Sequence, residues 1–173
     1  MKSWIKEVLP YIIIIIVVVL IKAFIVTPVL VDGKSMHPKL HNNDLMLLNK
    51  TAYKFGTIKR FDIVVVEINN KKLIKRVIGL PGETIEFKDN KLYINGEEIK
   101  QDFLEKDIVT KDFNIEDIYG VKKIPDSKYF VMGDNRTDSL DSRSIVVGMI
   151  HKKQILGKST FTLFPFSRFG TKK

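Results

Sequence analysis

The longest run of apolar positions lies near the N-terminus and extends from Val8 to Val26, interrupted only by Pro10 and Lys22. As an α-helix this run is roughly 28 Å long, which is enough to cross the hydrocarbon core of a bilayer. Pro10 falls in the first turn, where its missing N–H does no harm, and Lys22 lies close enough to the far end to reach the lipid headgroups. The pattern predicts a transmembrane anchor over residues 8–26, preceded by a short cytoplasmic segment of residues 1–7.

A cleavable signal peptide is the competing interpretation of this run, because Lys2 and Lys6 precede the apolar core. Such a segment ends in a small-x-small triplet, and none follows the run through Asp32. An uncleaved anchor is therefore favoured. The two lysines favour an N-terminus on the cytoplasmic side, and residues 27–173 are expected outside the cytoplasmic membrane, since long domains translocate largely regardless of their charge.

After the anchor, short runs of β-branched and apolar residues alternate with turn signals. Turns at 69–72 and 89–90 join neighbouring runs, so hairpins and antiparallel pairing are expected. A charged, weakly periodic stretch at about 97–126 is predicted to be an insertion of variable structure. The fold class is mainly β, with an antiparallel β-sheet domain behind a single N-terminal transmembrane helix. The predicted strands are 44–48, 61–67, 73–78, 84–88, 91–94, 128–132 and 158–164.

The composition narrows the chemistry available to this domain. The chain has no cysteine, which excludes disulfides, thiolate metal sites and a cysteine nucleophile. Its net charge of +9 fits a surface next to anionic lipid. Nucleic acid is not expected as a partner, because no helix-turn-helix, metal finger or basic and aromatic pattern accompanies the charge. No metal or other cofactor is expected, because the histidines lack the spacing of metal ligands.

Ser35 is a candidate nucleophile because it follows Val26 by nine residues and so lies close to the membrane surface. A serine nucleophile needs a base to take its proton. The chain offers three histidines, and each is expected to be an ordinary surface residue, because no acidic partner motif accompanies any of them. These histidines are His37, His41 and His151.

Lys75 is a second candidate for the base, and alternation along its strand points it the same way as Leu73 and Val77. To act near neutral pH, its pKa must fall from about 10.4 by roughly 3 units, which corresponds to about 4 kcal/mol and which burial can supply. The alternative is a basic edge strand with the lysine stem packed and its ammonium in water. Periodicity leaves both interpretations open, because Ile74 and Ile78 make the opposite face apolar too.

Three segments of the chain stand out as motifs: Ser35-Met36-His37-Pro38, Lys75-Arg76-Val77-Ile78-Gly79-Leu80-Pro81-Gly82-Glu83 and Gly133-Asp134-Asn135-Arg136-Thr137-Asp138-Ser139-Leu140-Asp141-Ser142-Arg143. In this order they resemble the signature segments of bacterial type I signal peptidases. The small size and the single anchor resemble the Gram-positive form of this family, and together with the anchor the segments span nearly the whole chain in outline. A lysine at position 75, where endoplasmic-reticulum-type relatives carry histidine, indicates the Ser-Lys form.

The resemblance implies roles for several residues of these segments. Ser35 attacks the scissile carbonyl, neutral Lys75 takes its proton, and Ser139 orients the lysine. The backbone N–H of Ser35 contributes to the oxyanion hole. Some relatives carry at position 33 a serine whose hydroxyl is the second donor. Gly33 lacks that hydroxyl, so a backbone N–H or a water is expected in its place, and a turn that requires positive φ explains this glycine equally well.

The last segment is also expected to scaffold the site through a polar network, and Gly133-Asp134-Asn135 is at the same time typical of a turn after a strand. For substrate, the resemblance implies an extended peptide with small side chains one and three residues before the cut. Pocket-lining residues are proposed by position, and packing in the core explains them equally well: Val31, Met36 and Ile74. The network residues are Asp134, Arg136, Asp141 and Arg143.

The function expected from these features is that of a monomeric, membrane-anchored serine endopeptidase that removes signal peptides from exported preproteins. Its partners are then the preproteins and membrane lipids. One alternative is a LexA-like self-cleaving protein, which also uses a Ser-Lys pair but carries a DNA-reading module where this chain has an apolar run. Another is a non-catalytic relative that binds preproteins without cutting them, against which the intact Ser35 and Lys75 argue.

Overall fold

The structure, a computed structural model, describes residues 2–172, and within the N-terminal helix it describes the side chains of residue 4 and of residue 7 onwards. Helix α1 extends from Lys2 to Phe24. Its segment Glu7–Phe24 is long and apolar enough to cross a membrane, and none of this segment is buried against the rest of the chain. An apolar helix exposed on all sides fits the predicted anchor. Residues 2–7, expected to precede the anchor, are already helical.

The helix ends two residues earlier than predicted, because Val26 is the first residue of strand β1, Val26–Leu30. Ile25, Val26 and Thr27 are β-branched, and Pro28 disfavours a helical conformation for the residue before it. The predicted boundary at Val26 is therefore wrong. Hydropathy alone does not separate the end of an apolar helix from the start of an apolar strand.

Two antiparallel sheets make up the domain that follows α1. The larger sheet has the strand order β1-β2-β11-β3-β4-β9-β10, with β12 paired to β11, and the smaller sheet has the order β7-β6-β5-β8. The strands are β1 Val26–Leu30, β2 Leu45–Asn49, β3 Ile63–Ile68, β4 Lys71–Gly79, β5 Ile85–Lys88, β6 Lys91–Ile94, β7 Glu97–Ile99, β8 Phe113–Asn114, β9 Lys128–Met132, β10 Ile150–His151, β11 Ile155–Phe164 and β12 Gly170–Thr171.

The predicted fold class, a mainly β antiparallel domain behind one apolar helix, is confirmed. Strands β6 and β9 have the predicted bounds, whereas β3 begins at Ile63 instead of Phe61. Phe61 has a φ of 69°, which belongs to a turn and not to a strand. Strand β11 begins at Ile155, three residues earlier than predicted, and leads directly out of a 3-10 helix at Lys152–Gln154.

The charged stretch at about 97–126 has defined structure in this chain. It contributes β7 and β8 to the smaller sheet and contains the short helix α2, Ile115–Tyr119. Asn114 caps the start of α2 by accepting a hydrogen bond from the Asp117 N–H, and Gly120 ends it in the left-handed conformation. The stretch is therefore an integral part of the domain.

Three clusters of buried apolar side chains form the core. One cluster lies under the loop that carries Ser35; it is called the dyad-side cluster, after the predicted Ser-Lys dyad of Ser35 and Lys75. Burial of each large side chain of this kind contributes about 1.5–3 kcal/mol to stability. The dyad-side cluster consists of Val31, Met36, Leu40, Met46, Leu48, Ile63, Val65 and Ile74.

Gly157 allows β11 to pack closely between β2 and β3. A Cβ at this position would overlap the Asn49 carbonyl oxygen and lie 3.0 Å from Leu48 Cδ1. Because the overlap is with backbone, it is not relieved by a change of rotamer. We expect Gly157→Ala to lower the free energy of unfolding by roughly 2–4 kcal/mol, measured by chemical denaturation in detergent.

Gly96 provides a matched control for this prediction, because a Cβ there meets open space and costs only the strain of its φ of 84°. Gly96→Ala should cost about 1 kcal/mol. Equal losses for the two variants would contradict the close packing of β11 against β2.

Candidate active site

Lys75 lies in β4 directly across from Val64 of β3 and is 2% exposed. Its Nζ atom donates a hydrogen bond of 2.6 Å to Ser35 Oγ. Burial lowers the pKa of Lys75 to about 8, and this effect outweighs the carboxylates of Asp141 and Asp134, which raise the pKa. Of the two interpretations that the sequence leaves open for Lys75, the buried amine is therefore the one observed. Near pH 8 a large fraction of this amine is neutral and able to accept a proton.

Ser35 is half-buried in the loop between β1 and β2, and two sets of contacts fix it there. Its neighbour Met36 belongs to the dyad-side cluster and accepts a backbone hydrogen bond from Leu40, another member of that cluster. From the other side, the Asn135 N–H donates to the Ser35 carbonyl oxygen at 3.0 Å. The nucleophile candidate is thus held between the core and the turn that follows β9.

The backbone N–H groups of Ser35 and Gly33 differ in whether they already form a hydrogen bond. The Ser35 N–H has no hydrogen-bond partner among residues 2–172, so it is available to a substrate oxygen. The Gly33 N–H donates to Asn42 Oδ1 at 2.8 Å and is already engaged. Gly33 has a φ of 92°, so the turn explanation for this glycine agrees with the structure, and this arrangement leaves no free N–H there.

Arg76 and Asp134 form an ion pair that is almost fully buried, with both side chains 1% exposed. Arg76 donates from Nε to Asp134 Oδ1 at 2.8 Å and from Nη2 to Asp134 Oδ2 at 2.7 Å. Its third group, Nη1, donates to the Phe61 carbonyl at 2.9 Å, and the guanidinium stacks 4.0 Å from the centre of the Phe103 ring. The pair ties β4 to the turn after β9 and compensates both buried charges.

Asp141 and Arg143 form a second, bidentate pair, with distances of 2.9 and 2.8 Å. Asp141 also accepts a hydrogen bond from the Gly133 N–H at 2.9 Å. Burial by itself raises the pKa of Asp141, but hydrogen bonds and charge from Arg143, then the Gly133 N–H and the nearby Ser139 hydroxyl, hold the pKa below its usual value. Asp141 is therefore ionised and holds the start of the turn through the Gly133 N–H.

Arg136 is buried and holds this turn against the stretch at 97–126. It donates to the Gly133 carbonyl at 3.2 Å, to Thr110 Oγ1 at 2.9 Å and to Gln101 Oε1 at 2.6 Å. Burial lowers the pKa of Arg136 to about 10, although Asp134 opposes this. The four predicted network residues thus lie around one turn. The polar network also includes three residues that were not predicted to belong to it: Arg76, Thr110 and Gln101.

Ser139 lies beside Gly133, where an added Cβ would overlap its Oγ. Its hydroxyl is buried and forms no hydrogen bond of standard geometry within the described chain. It lowers the pKa of Asp141 less than Arg143 and the Gly133 N–H do. The resemblance assigns Ser139 to the orientation of Lys75. The structure brings Ser139 into the site without a hydrogen bond between the two side chains.

Val31, Met36 and Ile74 lie together in the dyad-side cluster, with exposed fractions of 4%, 2% and 8%. Their burial in one cluster fits both explanations that the sequence allows, a packed core and the wall of a pocket for small side chains. Their role in substrate binding stays a prediction.

The side chains of the histidines contact each other or a 3-10 helix. The His37 and His41 rings lie edge to face with centroids 5.0 Å apart. His151 caps the 3-10 helix at Lys152–Gln154 by accepting a hydrogen bond from the Lys153 N–H. The hydrogen bond to Ser35 Oγ comes from Lys75.

Comparison with known proteins finds similar sequences over most of this chain. The sequence model of the family described as signal peptidase, peptidase S26, matches residues 1–164. Signal peptidase I of Bacillus amyloliquefaciens is 42% identical to this chain over 168 residues, which cover 95% of this chain and 89% of that protein. Signal peptidase I S of Bacillus subtilis (strain 168) is 42% identical over 169 residues, which cover 95% of this chain and 90% of that protein.

A solved structure is also similar. Signal peptidase I from Enterococcus faecalis V583 aligns with a TM-score of 0.53 and 36% sequence identity, covering 59% of this chain and 96% of that chain. The likeness therefore includes the fold as well as the sequence.

The buried ion pair between Arg76 and Asp134 is expected to stabilise the fold. Asp134→Ala leaves the Arg76 guanidinium buried without its counter-charge, so we expect a loss of about 3–5 kcal/mol in the free energy of unfolding. Glu98→Ala is the matched control, because Glu98 pairs with Lys91 on the surface and its removal should leave the unfolding midpoint unchanged. Chemical denaturation of both variants in detergent measures the difference. Similar midpoints would contradict the structural role of the buried pair.

Proposed function

Because the chain belongs to the signal peptidase family, peptidase S26, and is a peptidase that cleaves signal peptides, we propose that Ser35 and Lys75 perform this cleavage. In this proposal the protein is a membrane-anchored serine endopeptidase that acts on exported preproteins after a small-x-small motif. The observation that carries the proposal is the 2.6 Å separation between Lys75 Nζ and Ser35 Oγ at a buried position.

The reaction begins with proton transfer from Ser35 Oγ to the neutral amine of Lys75, as Oγ attacks the scissile carbonyl carbon. The carbonyl oxygen gains negative charge, and the free Ser35 N–H donates to it. The Lys75 ammonium then protonates the leaving amine, which frees the mature protein and leaves an acyl group on Ser35. Lys75, neutral again, activates the water that hydrolyses this ester.

Two unpaired strand edges support binding of the substrate as an extended peptide. Strand β1 stands at the end of the sheet order and pairs only with β2 within the described chain. Strand β4 pairs with β9 only from Arg76 to Gly79, so the edge of Lys71–Lys75 is open on that side. A peptide strand added between these edges hydrogen-bonds through its main chain and presents alternate side chains to the dyad-side cluster. Val31, Met36 and Ile74 then limit the size of the residues before the cut.

The position of the site relative to α1 supports a membrane-embedded substrate. Strand β1 has five residues, which span roughly 16 Å. Ser35 follows β1 in the next loop, so it stands a short distance above the end of the apolar helix. In the proposed topology α1 spans the cytoplasmic membrane with its N-terminus inside and the catalytic domain outside.

Removal of either dyad group should abolish cleavage without unfolding the protein. Ser35→Ala and Lys75→Met should each lower kcat by at least about 1000-fold, measured with a detergent-solubilised preprotein. Lys75→Met also removes a buried amine whose charge is costly, so its unfolding midpoint should be unchanged or raised. Ser167→Ala, on the exposed 3-10 helix at Phe166–Arg168, is the control and should retain full activity. Near-normal rates in both dyad variants would refute the assignment.

The pH dependence of cleavage should report the pKa of Lys75. The neutral amine is the active form and its pKa is lowered to about 8, so kcat/KM should rise with pH up to this value and level off above it. Below the midpoint the rate should fall about tenfold per pH unit, because the ammonium cannot take the Ser35 proton. A profile that is flat between about pH 6 and 10 would contradict a lysine base.

A further inference from the structure

A groove of about 510 Å³ lies where α1 meets the β domain. One side is formed by the end of α1 and by Thr27–Leu30 of β1, and the floor includes Leu48 and Leu156. Three lysines also line it: Lys50, Lys54 and Lys72. The groove thus combines an apolar floor with a cationic rim, directly beside the predicted membrane anchor.

One of these lysines already binds a helix end. The Lys50 ammonium donates to the carbonyl oxygens of Lys22 and Ala23, at 3.3 and 3.0 Å, in the last turn of α1. The Thr27 hydroxyl donates to the same Lys22 carbonyl at 2.9 Å. The last carbonyls of a helix have no partner within the helix and carry partial negative charge, so a lysine there is stabilising.

The other two lysines make no ion pair within the described chain. Neither Lys54 nor Lys72 lies within 4.0 Å of a carboxylate oxygen, and both side chains are exposed. Glu67 stands opposite Lys72 in the β3–β4 ladder without forming a salt bridge to it. Their ammonium groups are therefore available at the rim of the groove.

The proposed function brings a second apolar helix to this groove. A signal peptide cut at Ser35 lies extended along β1, as argued above, and its apolar segment enters the bilayer beside α1. The extended part is limited to about the length of β1, roughly 16 Å. The substrate helix must then end at the level where α1 ends at Phe24. Its terminal carbonyls therefore fall in the groove.

We propose that Lys54 and Lys72 bind the C-terminal carbonyls of the substrate's apolar helix, in the way that Lys50 binds those of α1. This inference rests on the proposed function and adds two positioning residues to it. They select substrates whose helix ends at the correct height and disfavour a lysine or arginine at that helix end, through repulsion between like charges. The chemistry at Ser35 does not involve them.

The test compares two substrates on the full-length protein in uncharged detergent. One substrate is a preprotein with its apolar segment, and the other is a short peptide with only the residues around the cleavage site. The Lys54→Gln/Lys72→Gln variant should raise KM for the preprotein by roughly two- to fivefold per lysine, with kcat unchanged. Its kinetics on the short peptide should equal those of the wild type.

Two further variants serve as controls. Lys54→Arg/Lys72→Arg should restore the KM for the preprotein. Lys123→Gln replaces an exposed lysine outside the groove and should leave the kinetics on both substrates unchanged.

Each contrary outcome has a defined meaning. An unchanged preprotein KM, or an equal loss on both substrates, overturns the inference. A second series in vesicles with and without anionic lipid distinguishes helix binding from headgroup binding. A defect that occurs only with anionic lipid assigns these lysines to headgroups and also overturns it. Failure of the proposed function gives a different result, because the Ser35→Ala variant would then still cleave the short peptide.

Discussion

The ion pair between Arg76 and Asp134 is the constraint on which the geometry of the site depends. Arg76 follows Lys75 on β4, and Asp134 follows Gly133 in the turn after β9, so the pair sets the distance between the strand of Lys75 and the turn beside Ser35. Each of these charges is costly to bury alone. The structure therefore tolerates only the arrangement in which the two meet, and in that arrangement the turn contacts the Ser35 carbonyl through Asn135.

The same arrangement explains why the pKa of Lys75 is lowered although two aspartates lie nearby. Asp134 and Asp141 both raise the pKa of Lys75, and an unpaired carboxylate at either position would hold the lysine as an ammonium. Each carboxylate is instead bound in bidentate fashion by an arginine. The arginines thus neutralise the acids that shape the turn, and the effect of burial on Lys75 prevails.

The features that the sequence predicts well are those that depend on local pattern. The apolar run at 73–78 predicts the strand observed as β4, and turn residues define the hairpins. Long-range packing decides the rest. The pairing of β4 with β9 brings Lys75 near a turn that is distant in the sequence. Arg136 is satisfied by Gln101 and Thr110 from a stretch whose charge and weak periodicity suggest a variable insertion. The state of the Gly33 N–H depends on Asn42, whose position no pattern in the sequence indicates.

A single residue, Ile25, lies between α1 and β1. Hydrogen bonds from Lys50 and Thr27 to carbonyls of the last turn of α1 stabilise this junction. The anchor and the sheet therefore lack a flexible joint. An apolar helix tilts when its length differs from the thickness of the surrounding hydrocarbon. Without a joint, that tilt carries the sheet and Ser35 with it, so the height of Ser35 above the bilayer depends on the thickness of the hydrocarbon.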